Sequence, residues 1–323
     1  MVRTTFFGCA MTAALVFSSC AGAQTYPARS LRLIIPFAPG GTNDILGRLV
    51  SQKLGEAIGQ QVIPDNRGGA GGSIGMEVAA KSPPDGYTIV IGHIGTLAVN
   101  PTLYSKLAYD PLKSFDPITL IAKLPNLMAV NPTVPAKTVA AFIALAKARP
   151  GKLTYGSGGT GGAGHLATEY FKLLTKTSMV HVPYRGTGLA VIDVVSGQLD
   201  MVMAGVPAIV PHTRTGKLRA LGLSGSTRLA ILPDIPTIAE SGAPGYEATQ
   251  WYGILAPAGT PKAALNVLHA GLAKALATPA LKESLARDGA EPVITTPEEF
   301  TAYMKSELKK WGEVVKRSGA KVD

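Results

Sequence analysis

Between Tyr155 and His165 the chain reads Gly156-Ser157-Gly158-Gly159-Thr160-Gly161-Gly162-Ala163-Gly164, six glycines in nine residues. The run sits between an apolar strand pattern, Leu153-Thr154-Tyr155, and a helical one, Ala163–Leu174. Glycine loses more conformational entropy on folding than any other residue, and a bare turn needs only one or two. Placed where a strand enters a helix, so dense a run predicts a loop that brings the backbone close to a ligand. The free amides and partial positive charge of the helix start then lie behind it. Ser157 and Thr160 add hydroxyls, and His165 opens the helical stretch.

The same order of parts occurs about 120 residues earlier. Leu31-Arg32-Leu33-Ile34-Ile35 is a strand pattern, and Asn43 to Ile58 repeats apolar residues on one face at helical spacing. Between them lies Pro36-Phe37-Ala38-Pro39-Gly40-Gly41-Thr42-Asn43-Asp44. Gly40 and Gly41 allow close approach, Thr42 or Asn43 can cap the helix, and Phe37 can cover an apolar ligand body. An anion site of this kind needs no Lys or Arg. Asp44 falls in the first turn, where an acid complements the helix dipole. A tight strand–helix turn with an ordinary cap accounts for this first loop equally well.

The alternation continues. Strand patterns recur at Gln61–Pro64, Thr88–Ile91, Leu120–Ala122, Leu127–Val130, Met179–Val182, Leu199–Met203, Leu218–Leu223 and Gln250–Leu255. Helical patterns fill the intervals, among them Thr138–Ala148 and Gly188–Val195, and Pro261–Ala277 and Pro297–Arg317 each open on a proline. This predicts an α/β protein with mixed, mostly parallel sheets flanked by helices. One glycine loop per domain gives a first lobe of 24–124 and 225–323, with a second lobe, 125–224, inserted in it and two chain crossings as a hinge. Hydrophobic residues at 46% and charged residues at 16% exclude a disordered chain.

Met1–Ala23 carries one charge, Arg3, an apolar stretch from Phe6 to Phe17 and a small-x-small pattern, Ala21-Gly22-Ala23. It is the pattern of an export signal cleaved after Ala23. Phe17-Ser18-Ser19-Cys20 offers a competing lipid-attachment box, in which Phe17 is a poor match. Both cysteines, Cys9 and Cys20, lie in this segment. A mature chain starting at Gln24 therefore has no disulfide and no cysteine metal site. Removing the leader lowers the net charge from +10 to +9. The bases are dispersed, without a basic run interleaved with aromatics, so nucleic acid is not the expected partner. A modest positive field suits small anions, and plain solubility explains it as well.

Gly156-x-Gly158-x-x-Gly161 matches the dinucleotide fingerprint, but no acid follows between Thr175 and Tyr184 to hold a ribose. No Walker lysine follows either loop, no HExxH pair exists among the five histidines, and no cofactor is expected. Gly71-Gly72-Ser73-Ile74-Gly75 spells a hydrolase nucleophile elbow, but the motif needs a strand running into the serine, and a loop precedes it here. An exported hydrolase using Ser73 or Ser157 is the enzymatic alternative.

The chain resembles the Bug family, the TctC-like periplasmic solute receptors of tripartite tricarboxylate transporters, across 26–323. The resemblance rests on Ile35–Asp44 with Arg48, Asp65–Gly75, Asn100-Pro101-x-Leu103-Tyr104, Tyr155–Gly161 with His165-Leu166, Val182–Gly186, Gly197–Asp200 and Trp251–Pro261. It implies a periplasmic binding protein whose two α/β lobes close on a ligand like a Venus flytrap. The two glycine loops would hold a carboxylate through backbone amides and bridging water, with delivery to the transporter's membrane subunits. A signalling partner in place of a permease needs the same pocket. Carried over by position, the ligand-binding set is Phe37, Ala38, Pro39, Gly40, Gly41 and Thr42 from one lobe. The other gives Ser157, Gly159, Thr160, Gly161, Gly162 and His165. Thr96, Tyr184, Arg185 and Asp200 are secondary. No catalytic or metal-binding residue is implied. Two positions depart from the family pattern: Gly162 stands where serine is frequent, and Leu189 where proline is common.

Overall fold

One long strand sets the architecture. In the computed structural model, which describes residues 26–287 and 289–318, Phe115–Val130 forms a single strand of 16 residues. The sequence shows it as two apolar runs. The backbone stays extended through Pro125, which pairs with Thr249.

The elements in chain order are β1 (Leu31–Ile35), α1 (Thr42–Ile58), β2 (Val62–Asn66), α2 (Ser73–Ala80), β3 (Thr88–His93), α3 (Asn100–Leu103), β4 (Phe115–Val130) and α4 (Val139–Ala148). Then come β5 (Thr154–Ser157), α5 (Ala163–Thr175), β6 (Val180–Pro183), α6 (Thr187–Val195), β7 (Met201–Gly205), α7 (Val206–Arg214) and β8 (Arg219–Leu223). The chain ends with β9 (Thr249–Pro257), α8 (Lys262–Ala277), α9 (Pro279–Arg287), β10 (Glu291–Pro292) and α10 (Pro297–Ser318). Strand order is β2-β1-β3-β9-β4-β7-β5-β6, with β8 and β10 also pairing β4. Strand–helix alternation gives parallel pairs on both flanks, β2-β1-β3 and β7-β5-β6, while β9 and β4 run antiparallel to their neighbours between them.

The first part of β4 pairs with β9, and from Asn126 onward β4 pairs with β7 and β8. Each half of the sheet has apolar cores of its own. Leu33, Ile35, Leu46, Ile89 and Leu268 pack in one core of the first half, and Ile34, Val90, Trp251 and Phe300 in another. The second half has Met128, Phe142, Tyr155 and Phe171 in one core, and Val191, Val202, Ile209 and Leu223 in another. The sequence places 225–323 in the first lobe. The buried side chains Ile238, Ala243, Tyr246 and Ala248 lie in the second half's core, and the return to the first half begins at β9.

The two crossings are tied by buried polar groups. The Asn126 side chain donates to the Ala248 carbonyl at 2.9 Å, the Ser224 hydroxyl donates to the same carbonyl at 2.7 Å, and the Asn126 amide donates to Ser224 Oγ at 2.7 Å. Among the described residues no helix is long and apolar enough to cross a membrane. The leader, its cleavage after Ala23 and the alternative at Cys20 lie outside the described residues.

Candidate functional site

At the start of α1 the sequence places its acid where it stiffens the first glycine loop. Gly40 takes φ +85, a value that favours glycine, and its amide donates to Asp44 Oδ2 at 3.0 Å. Arg48 Nε donates to Asp44 Oδ1 at 2.9 Å, and Asn66 joins the same oxygen at 3.0 Å while donating to the Phe37 carbonyl at 2.9 Å. Burial alone raises the Asp44 carboxyl, but the bonds from Arg48, Gly40 and Asn66 outweigh it and hold it below the usual value. Gly41 caps α1 in extended conformation with no side-chain bond. The Thr42 and Asn43 amides therefore keep the unpaired state of a helix start. Among the described residues, Asn43 Oδ1 is also buried without a hydrogen-bond partner.

The second glycine loop folds back on itself. The Gly159 amide donates to Ser157 Oγ at 3.2 Å, the Gly161 amide to His165 Nδ1 at 3.2 Å, and the Gly162 amide to the Gly159 carbonyl at 3.0 Å. Among the described residues, the amides of Ala163, Gly164 and His165, in the first turn of α5, have no hydrogen-bond acceptor. Beneath the loop Ser157 Oγ lies 2.7 Å from His181 Nε2, and the His165 and His181 rings are 4.2 Å apart. Burial, the largest effect, pushes His165 down to about 4 and His181 to about 3. Both rings are neutral near pH 7 and serve as loop supports.

The helix starts meet in one small, largely enclosed chamber between the two halves. The first half contributes Phe37, Thr42, Asn43, His93, Gln250 and Tyr252; the second contributes Gly158, Gly162, Ala163, Gly164, Thr187, Ala204 and Gly205. Thr42, Ala163 and Thr187 are the first residues of α1, α5 and α6, and Gly205 caps α7. Among the described residues, no Lys, Arg, Asp or Glu lines the chamber. Its polarity comes from amides, hydroxyls, a buried imidazole and the Gln250–Tyr252 pair, in which the tyrosine hydroxyl donates to Gln250 Oε1. About 10 Å³ is open to the centre of a water molecule, roughly the room one water needs. The halves are thus tightly closed. The Ala38 amide donates to the Arg185 carbonyl at 3.0 Å, and the Tyr104 hydroxyl to the Thr160 carbonyl at 2.9 Å.

Of the residues singled out in the sequence, Phe37, Thr42 and Gly162 line the chamber. Ala38 and Gly41 make the seam, where Gly41 packs on Thr187 and Gly188, while Pro39 and Gly40 reach the exposed rim. Gly159, Thr160, Tyr184 and Arg185 border an outer groove with Gly71, Tyr104 and Lys106. The Tyr184 hydroxyl is engaged by Asp193. Thr96 is buried behind the chamber and bonds His93; Ser157, Gly161 and His165 lie within the loop's own network. Asp200 accepts from the Thr154 amide at 2.7 Å, at the opposite end of β5 from the chamber. Ser157 is fully buried, and Ser73 starts α2 after a tight turn, with its hydroxyl accepting from Asn100 at 3.1 Å. Asn43 stands in the sequence only as a candidate cap, and His93, Gln250 and Tyr252 are not singled out there as site residues. Gln250, a polar residue opening the apolar run of β9, was the visible signal for that wall.

Comparison with known proteins places the chain in a family. The family described as the tripartite tricarboxylate transporter family receptor, TctC, matches residues 46–320. The chain belongs to this family. It is 37% identical over 301 residues to Protein BugT of Bordetella pertussis, covering 93% of this chain and 92% of the relative. The periplasmic binding protein BugD superposes with a TM-score of 0.89 at 32% identity, over 92% of this chain and 99% of that one. A protein of R. palustris solved with adipate superposes with a TM-score of 0.88 at 37% identity, over 91% of this chain and 98% of that one. The receptor therefore has the periplasmic binding protein fold, and its chamber occupies the cleft between the two halves.

Proposed function

We propose that this receptor captures a small organic carboxylate between its lobes in the periplasm and presents it to the membrane subunits of its transporter. The observation that carries the reading is the convergence of unpaired amides and neutral polar side chains, from helix starts on both halves, in a chamber without a charged residue. Such donors stabilise an anion by fixed dipoles. A related protein solved with adipate fits that chemistry. In this reading the lobes are 26–125 with 249–318, and 126–248; the Asn126–Ser224–Ala248 knot supports placing the hinge at their junction. The chamber admits a guest only after the halves separate, so ligand favours the closed state through contacts that it alone makes with both halves. The leader supports export, and the protein acts by binding rather than by turnover.

Thermal shift tests this directly. A ligand at 100 times its Kd adds about 2.7 kcal/mol to stability, which for a chain of this size raises Tm by several degrees. Straight-chain dicarboxylates including adipate are expected to raise Tm, and diols of equal length are not. No shift with any carboxylate overturns the reading.

A further inference from the structure

We infer that His93 is a ligand-contacting, specificity-determining donor, presenting a fixed Nε2–H to a carboxylate oxygen of the guest. The inference rests on the carboxylate-receptor reading and adds to it a side chain that neither glycine loop contains.

His93 ends β3 on the first half and is 2% exposed. Its Nδ1 accepts the Thr96 backbone amide at 3.1 Å. The same threonine holds the backbone, its hydroxyl accepting from the His93 amide at 3.2 Å and donating to the His93 carbonyl at 3.1 Å. The turn Gly95–Val99 supplies this clamp, and the imidazole packs between Phe37, with centroids 4.8 Å apart, and Tyr252 at 5.9 Å. An imidazole whose Nδ1 accepts carries its proton on Nε2 when neutral. Among the described residues no protein group accepts from that Nε2. A histidine kept only for packing finds an acceptor when buried, because an unmade bond there is costly. His93 instead lines the same chamber as Asn43, whose buried Oδ1 has no hydrogen-bond partner among the described residues. A donor held in one tautomer and one orientation discriminates by where the guest places its oxygen, and it adds a side-chain N–H to the fixed backbone amides of the helix starts.

Long-range proton–nitrogen NMR on protein labelled at histidine is expected to show His93, assigned by its loss in His93→Gln, as the Nε2–H tautomer in the free receptor at neutral pH. Saturating adipate should move that Nε2–H signal. Asparagine keeps an acceptor for the Thr96 amide but does not reach the Nε2 position, whereas glutamine places an amide donor near it. By calorimetry with adipate, His93→Asn should weaken binding by about tenfold or more, as loss of a bond to a charged group does, and His93→Gln by much less. An Nδ1–H tautomer, an Nε2–H signal indifferent to bound adipate, or His93→Asn binding within twofold of wild type overturns the assignment and leaves the receptor reading standing. If adipate does not bind the wild type, the same measurements are made with the carboxylate that raises its Tm most; if no carboxylate binds, the carboxylate reading falls and this assignment with it.

Discussion

Tyr104 donates its hydroxyl to the carbonyl of Thr160 at 2.9 Å, joining the end of α3 on the first half to the second glycine loop on the other. Burial raises the pKa of this phenol, so it remains a donor across the usual range. A net hydrogen bond of this kind contributes about 0.5–1.5 kcal/mol. Because it spans the seam, its loss falls on closure and not on the folding of either half. Tyr104→Phe should therefore weaken, by about two- to tenfold, the binding of whichever carboxylate raises the wild-type Tm, read by calorimetry. Unchanged affinity would mean the seam does not part there.

Gly161 meets the same seam from the other side. Its φ of +84 disfavours any side chain, and a Cβ there would press on Leu103 and on Asn100 of the first half. The backbone strain of a non-glycine residue in this region is about 1–2 kcal/mol, and it acts in open and closed states alike. The collision with Leu103 and Asn100 acts only in the closed one. For Gly161→Ala we expect a modest loss in Tm of the free protein and a loss of affinity above tenfold. Equal losses in both would locate the whole effect in the loop.

The strands, the two glycine loops and the helix starts behind them were legible because each follows from local chemistry: apolar periodicity, glycine density and an acid at the first turn. Asp44 illustrates the success, since its role at the helix start is the one a first-turn acid predicts, extended to Gly40 and Asn66. What sequence hid was tertiary. Glycine density does not say that the amides of Gly159, Gly161 and Gly162 are taken by Ser157, His165 and the loop's own carbonyl, or that the first turn of α5 opens on the amides of Thr42 and Asn43 across the cleft. Nor does it say that β4 runs unbroken through Pro125 across both halves, or that His93 and Tyr252, on strands distant in sequence, are brought together by the β3–β9 pairing.

Ser157 separates the receptor from the hydrolase alternative. Its hydroxyl is fully buried, accepts the Gly159 amide and lies against His181. Replacing it with alanine leaves the Gly159 amide and His181 Nε2 short of a partner inside the protein, a cost of about 1–3 kcal/mol. Ser157→Ala should lower Tm by a few degrees and weaken ligand binding, while ester turnover is expected at background level before and after the change. Ester hydrolysis by the wild type that disappears in this variant would make the chain an enzyme.

The histidines under the second loop make stability depend on pH in a defined window. An unfolded histidine takes up a proton near pH 6.5, whereas burial holds His165 to about 4 and His181 to about 3. For His165 the charge of Glu169 opposes that shift and Lys172 assists it; for His181 the neighbouring His165 and Lys172 both assist. Between those values the unfolded chain binds more protons than the folded one, so stability falls as pH falls. It is fully present above about pH 6.5 and lost progressively towards pH 4 and below. Each group contributes about 1.4 kcal/mol per pH unit within its window. Calorimetric Tm should be nearly flat above about pH 7 and decline steeply below about pH 6. His181→Gln retains an amide for Ser157 without the titration, so its curve should be shallower than wild type over the same range. A variant whose Tm falls as steeply as the wild type would place the acid sensitivity outside this cluster.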